Sequence, residues 1–277
     1  MDTHPSNDGF DSAATAQRLV QARRAAQALP DYPGALPATL DQGYACQDRA
    51  IALWGQPIAG WKVGRIPPAW EPRLGEERLV GPIFANAVQM PASGVAGRFA
   101  VIPGGFAAVE AEYVFRLGAD APADRTDFSH AEAETLVDAL FVGIELAGSP
   151  LPLINELGPP VVVSDFGNNA GLILGPQIPG WREIDESRLL CETFIGGASV
   201  GRGGAPNIPG GLRAALVFAL NRCARRGYPL RAGTLVSTGA STGIHDIVAG
   251  QHARVSFGSW GELHCDAVAA TPTGDHA

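Results

Sequence analysis

Three acidic side chains in this chain are spaced as a cation site would need them. In the segment AAVEAEYVFRLG, Val109, Ala111, Tyr113, Phe115 and Leu117 alternate with Glu110 and Glu112. Side chains two apart on a strand share a face, so the pattern predicts an apolar stripe on one side and both carboxylates on the other, with Cα atoms about 6.6 Å apart. Like charges at that separation repel in a partly buried site unless a cation or a shared proton compensates. Spacing alone fits a solubilising strand face as well as it fits a cation site. Glu145 weighs toward the second, because it stands inside the apolar run ALFVGIELAG, with no Lys or Arg nearby in sequence. Burying an unpaired carboxylate there is costly. Three carboxylates without nitrogen or sulfur ligands favour a hard ion such as Mg²⁺ or Mn²⁺. The six histidines show no H-x-x-x-H spacing of the kind zinc uses.

Other polar residues read blandly on their own. Lys62 in IAGWKVG fits a lysine snorkelling from a strand end, and Asp165 fits a turn. His245 and Asp246 are adjacent, so on a strand they point to opposite faces and read as structural. Ser237 and Ser241 lack the strand–turn–helix context of a nucleophile elbow.

The elements that must position these groups follow from periodicity and breakers. Residues 1–10 are polar and turn-rich and predict disorder. An Ala-rich helix is expected from Ser12 to Leu29, ended by Pro30, and a second from Leu40 to Leu53 with Tyr44, Ile51 and Leu53 on its apolar face. The body begins near Ile58 with a strand, followed by a long loop over 66–78 and further strand in LVGPIFANAVQM. Ser129 and Glu132 form a capping box opening a helix to about Leu140. FVGIELAG and VVVSDFGNNAGLILG predict strands. Leu212, Leu216, Leu220 and Cys223 define an amphipathic helix between Gly211 and Arg226, with Gly227 as its terminator. GTLVSTGASTG, ARVSFG and GELHCDAV close the chain as strands and turns. The expectation is an α+β fold, with a tail and helical section over 1–57 and a metal-binding catalytic domain over 58–277.

Composition removes several function classes. A net charge of −8 without a basic run argues against nucleic acid as a partner. No run of 18 apolar residues occurs, so no membrane span is expected, and the N-terminus lacks signal-peptide character. Cys46, Cys191, Cys223 and Cys265 are scattered and read as reduced, packed thiols of a cytoplasmic protein.

The order GWKVG, then E-A-E on a strand, then GIELAGS, then SDFGNNAGLILG resembles the 2-keto-4-pentenoate hydratase / 4-oxalocrotonate decarboxylase family, part of the fumarylacetoacetate hydrolase superfamily. The similarity runs from about Leu40 to Val268. It implies a β-rich core of mixed sheets curled into a roll, a bound Mg²⁺ or Mn²⁺, a small 2-oxo acid substrate and a homo-oligomer. It places the metal on Glu110, Glu112 and Glu145, makes Lys62 the active-site lysine, and aligns Asp165, Gly239 and Thr242 with substrate-side positions. Glu at 145, where hydrolase members usually carry Asp, favours the hydratase and decarboxylase branch.

In such a site the metal acts as a Lewis acid toward a chelating 2-oxo acid. Lys62 could then stabilise developing negative charge, or move a proton if burial lowers its pKa. Arg65 could fork onto a second carboxylate of a dicarboxylic substrate. The chain departs from the family at Leu79 (an acid in many hydratases), at Phe166 (Asn), at Ala240 (Ser), and at Gly148, Ser149 and Pro150 (D-S-R). These changes leave the metal ligands intact and alter the groups that handle water and protons. The leading expectation is a metal-dependent hydratase of 2-hydroxy-2,4-dienoates. The alternatives are a 2-oxo-enedioate decarboxylase and a non-catalytic member that binds metal and a small oxo acid.

Overall fold

A computed structural model describes residues 9–273, so the disorder expected for the first ten residues falls mostly outside it. Phe10 is described, and it packs partly buried on an apolar cluster with Leu19 and Val20. Helix α1 (Ser12–Arg24) is capped by Asp11, whose carboxylate accepts from the Ala13 and Ala14 amides. It stops five residues before the expected Leu29. Ala26 turns left-handed at φ 51°, and the Leu29 amide is drawn off to the Pro150 carbonyl. Helix α2 (Leu40–Trp54) runs from a Thr39 cap to left-handed Gly55. Tyr44 is buried and Ile51 half-buried, but Leu53, placed on the apolar face from sequence, is exposed.

Strand β1 (Ile58–Arg65) leads into the 66–78 segment, which contains one short helix, α3 (Glu71–Leu74). Strands β2 (Arg78–Phe84), β3 (Val88–Gln89), β4 (Gly97–Val101) and β5 (Phe106–Leu117) follow. The Ser129–Glu132 capping box is present, yet α4 (His130–Thr135) is only six residues long. The chain from Val137 is taken by β6 (Val137–Ser149), the antiparallel partner of β5 along its whole length. The Val137–Leu140 segment, expected as the end of the helix, thus belongs to a strand, which periodicity alone does not separate from a helix over so short a stretch.

The VVVS stretch, read as strand, is instead helix α5 (Pro159–Ser164), started by two prolines. Strand β7 (Asn169–Gln177) comes after it. Then come β8 (Leu190–Ile195), β9 (Ala198–Gly204), α6 (Gly211–Arg225), β10 (Leu235–Ser237), β11 (His245–Asp246), β12 (His252–Ser256) and β13 (Glu262–Ala269). Helix α6 ends as expected before Gly227 at φ 81°.

The strands form two mixed sheets. The larger has the order β2-β1-β10-β5-β6-β7-β3, with β11 added on β5; the smaller has the order β4-β13-β12-β8-β9. The apolar stripe of β5 faces the main core, where Tyr113 meets Phe257 and Phe115 meets Trp181 edge to face. Helix α6 buries Leu212, Leu216, Leu220 and Cys223 in the same core. The four cysteines are free and buried. Among the described residues no helix is long and apolar enough to cross a membrane. The architecture is α+β, as expected, and it leaves the opposite face of β5 free to carry charge.

Candidate metal centre

Glu110 and Glu112 project from that opposite face, and Glu145 on β6 stands directly across from Glu110 in the ladder. One carboxylate oxygen from each lies within 4.8 Å of the others, and all three residues are buried. Like charges opposed on neighbouring strands are unfavourable, and more so out of water. Partial compensation comes from Lys62 on β1, whose Nζ sits 3.3 Å from Glu145 Oε1 and donates to Asn168 Oδ1 at 3.0 Å. Asn169 Nδ2 donates to the same Glu145 oxygen at 3.0 Å. Glu112 Oε2 accepts from the Ser237 hydroxyl on β10 and from the Gly239 amide.

These bonds leave Glu110 Oε1, Glu112 Oε1 and Glu145 Oε2 buried without a partner. One lysine cannot balance three acids. Burial pushes the Glu110 carboxyl up to about 8, with Glu145 adding to the rise and Lys62 opposing it. Burial, and then Glu145 and Glu110, also hold Glu112 well above the usual carboxylate range. For Lys62, burial acts downward but the three carboxylates outweigh it, so its pKa is raised. This is opposite to the lowered value considered from sequence. Unpartnered oxygens converging from three carboxylates fit a hard divalent cation in donor type and in charge.

Lys62 and Glu110 open onto a cavity of about 300 Å³. Arg65 and Gly239, both expected on the substrate side, also line it. Arg65 is exposed and has no ion-pair partner among the described residues. Gly239, at φ 115°, places its backbone on Glu112 in a conformation that a side chain would strain.

Asp165 and Thr242 do not line the cavity. The Asp165 carboxylate is bound by Arg23 from α1, with Nε at 2.6 Å from Oδ1, and by Ser149 Oγ at 2.5 Å. Thr242 bonds Thr193 and His245. Leu79 and Ala240, two of the altered family positions, do face the cavity and make that wall apolar. Phe166 turns away from it into an aromatic group with Trp54 and Phe84.

Asn168 and Asn169 were not singled out from sequence, and Ser237 was weighed there only as a nucleophile, not as a partner of Glu112. Asn168 ends a run of left-handed backbone at Phe166, Gly167 and Asn168, with φ of 57°, 63° and 57°, and Asn169 follows it. Each non-glycine in that region costs about 1–2 kcal/mol. The adjacent N-N pair, which tolerates such backbone better than most residues, was the available signal.

No family model matches the chain. Two curated relatives, 2-keto-4-pentenoate hydratase 1 and 2-keto-4-pentenoate hydratase 2 of Dechloromonas aromatica (strain RCB), are each 26% identical over 230 residues, covering 82% of this chain and 85% of the relative. Among solved structures, 4-oxalocrotonate decarboxylase from Pseudomonas putida G7, complexed with calcium and acetate, superposes with a TM-score of 0.73. It is 19% identical, with 93% of this chain and 97% of that one covered. Fumarylpyruvate hydrolase from Pseudomonas aeruginosa, in complex with Mn²⁺ and pyruvate, gives a TM-score of 0.54 at 19% identity, covering 77% and 91% of the two chains. Motif order and fold agree: the chain resembles the 2-keto-4-pentenoate hydratase / 4-oxalocrotonate decarboxylase family in sequence and shares the fold of the solved 4-oxalocrotonate decarboxylase.

Proposed function

We propose that the protein is a divalent-metal-dependent lyase that acts on a small 2-oxo acid, with hydration of a 2-hydroxy-2,4-dienoate as the leading reaction. The observation that carries this reading is the set of three buried glutamates with one unpartnered oxygen each, beside a buried lysine at a cavity wall. Glu110, Glu112 and Glu145 would hold Mg²⁺ or Mn²⁺, which supplies Lewis-acid polarisation of the substrate's oxygens when bound. The decarboxylase and hydrolase relatives of known structure carry Mg²⁺, Ca²⁺ or Mn²⁺.

The chain's own groups do the remaining work. Lys62, fixed by Asn168, presents N–H donors at the cavity wall to negative charge developing on the substrate. Ser237 and the Gly239 amide orient Glu112, and Asn169 orients Glu145. Leu79, Val162 and Ile208 line the cavity with apolar surface, while Asn155 and Asn207 supply the polar contacts through which a single water could be held near a distal carbon. Gly239 and Arg65 contact substrate in this scheme. Asp165 acts from behind the site, and Thr242 through the turn it anchors.

A second reading, decarboxylation of a 2-oxo-enedioate, is favoured by one specific feature. Leu79 and Ala240 remove polar groups from the wall that would activate water, while Arg65 and Arg78 give the cavity a cationic side. The two are separated by incubating 2-hydroxypenta-2,4-dienoate with protein and Mg²⁺ or Mn²⁺ and following the dienol absorbance. Loss of absorbance with a 4-hydroxy-2-oxo acid as product, absent in Glu112→Gln, supports the hydratase. No turnover there, with CO₂ released from a 2-oxo-enedioate, replaces it with the decarboxylase. Inertness toward both, in metal-loaded protein, overturns the enzymatic reading.

A further inference from the structure

The turn that presents Asn168 and Asn169 is held by a side chain from the other end of the chain. Three consecutive residues with φ near 60°, two of them not glycine, persist only where the surroundings over-determine them. On one side, strand β2 leaves no room: a Cβ added to Gly81 would meet the Phe166 carbonyl oxygen at 2.1 Å. On the other side stands Arg23 of α1, whose side chain is 9% exposed. Its Nε and one terminal nitrogen fork onto Asp165 at 2.6 and 3.0 Å. The same guanidinium donates to the Gly148 carbonyl at 2.8 Å and to the Asn169 carbonyl at 3.2 Å, and lies 5.1 Å from the Phe166 ring centroid. One buried cation therefore ties α1 to the end of β6, just past Glu145, and to both flanks of the left-handed turn.

We infer that Arg23 is a positioning residue for the metal centre. By bracing the 166–168 turn through Asp165 and the Asn169 carbonyl, it sets Asn169 against Glu145 and Asn168 against Lys62. The inference rests on the proposed binding of a divalent ion by Glu110, Glu112 and Glu145, and it gives the N-terminal helix a role in that binding. A brace that served the fold alone would change stability and leave ion affinity untouched.

The test is the affinity of the full-length protein for Mn²⁺, read from the free-ion paramagnetic resonance signal. Four proteins are compared: the natural chain, Arg23→Gln, the double variant Arg23→Gln/Asp165→Asn, which leaves no orphaned charge, and Arg24→Ala. Arg24 is the next residue on α1, and its guanidinium bonds the Leu53 carbonyl instead. Mn²⁺ binding should weaken about tenfold or more in both Arg23 variants, as for other groups that orient metal ligands, and stay unchanged in Arg24→Ala. An Arg23→Gln protein with native circular dichroism and native Mn²⁺ affinity overturns the inference. If neither Arg23 variant folds, Ser149→Ala decides, because it removes one bond to Asp165 while α1 stays anchored. It should weaken Mn²⁺ binding in the same direction, and native affinity overturns the brace. Mn²⁺ binding by the natural chain that Glu112→Gln does not alter removes the metal reading itself, and the brace with it.

Discussion

Two sets of buried carboxylates lie on either side of the same short turn, and the protein treats them oppositely. Asp165 is closed: Oδ1 takes a bond from Arg23 Nε, and Oδ2 takes bonds from Arg23 and Ser149. The three glutamates are open, with one oxygen each left without a donor and a single lysine among them. Both sets are nearly inaccessible to solvent. Burial of an acid therefore does not distinguish a structural carboxylate from a ligand. What distinguishes them is the count of lone pairs that the fold leaves unsatisfied, together with access to a cavity, which Glu110 has and Asp165 lacks.

The strongest way to break this contrast is to remove one charge from each set by the same chemical change. Glu112→Gln should abolish turnover, by about 10³-fold or more, or roughly 4 kcal/mol of barrier, because a ligand to the Lewis acid is lost. Steady-state assays with saturating Mn²⁺ check this, and activity within tenfold of native would remove Glu112 from the centre. Asp165→Asn should act on the fold: an uncompensated Arg23 charge left buried costs about 3 kcal/mol or more in unfolding free energy, measured by urea titration. If instead Glu112→Gln destabilised the metal-free protein as much as Asp165→Asn does, the two sets would be equivalent and the distinction would fail.

Metal loading sharpens the same comparison at a smaller magnitude. An ion held by the native chain and not by the unfolded one stabilises by about 2.7 kcal/mol at a concentration 100 times its Kd. For a chain of this size that is a rise in Tm of about 5 °C. The shift should be reversed by a chelator, vanish in Glu110→Gln, and survive in part in Asp165→Asn. A melting temperature indifferent to Mg²⁺ and Mn²⁺ would mean that the unpartnered oxygens are satisfied in some other way.

The difference between the two sets also marks what the sequence could disclose. The β5 alternation put Glu110 and Glu112 on one face because side-chain direction along a strand is purely local, and Glu145 was conspicuous because its neighbours are apolar. That Glu145 stands opposite Glu110 depends on register between β5 and β6, which no local pattern fixes. The partnership of Asp165 with Arg23 spans 142 positions and was invisible, so Asp165 was placed with the substrate by resemblance alone. Where local signals competed, packing decided. The capping box at Ser129 started a helix as expected, but Val137 onward was claimed by the ladder with β5, and the Val161–Val163 run became a helix once two prolines had opened it.

The smallest expected effect concerns the cavity's two arginines, which repeat the contrast between committed and uncommitted groups. Arg78 is held by the Pro209 carbonyl and by Glu77, at 3.3 Å, whereas Arg65 has no carboxylate partner among the described residues. An uncommitted guanidinium facing a cavity can fork onto a substrate carboxylate without first giving up a bond. Arg65 is also exposed, so its contribution is limited by solvent screening to about 1 kcal/mol. Arg65→Ala should therefore raise KM for a 2-oxo-enedioate about fivefold, leave kcat nearly unchanged, and leave a monocarboxylic 2-oxo acid unaffected. Equal, unchanged constants for both substrates would mean that Arg65 is only solvated, and the cationic side of the cavity would no longer favour the dicarboxylic reading.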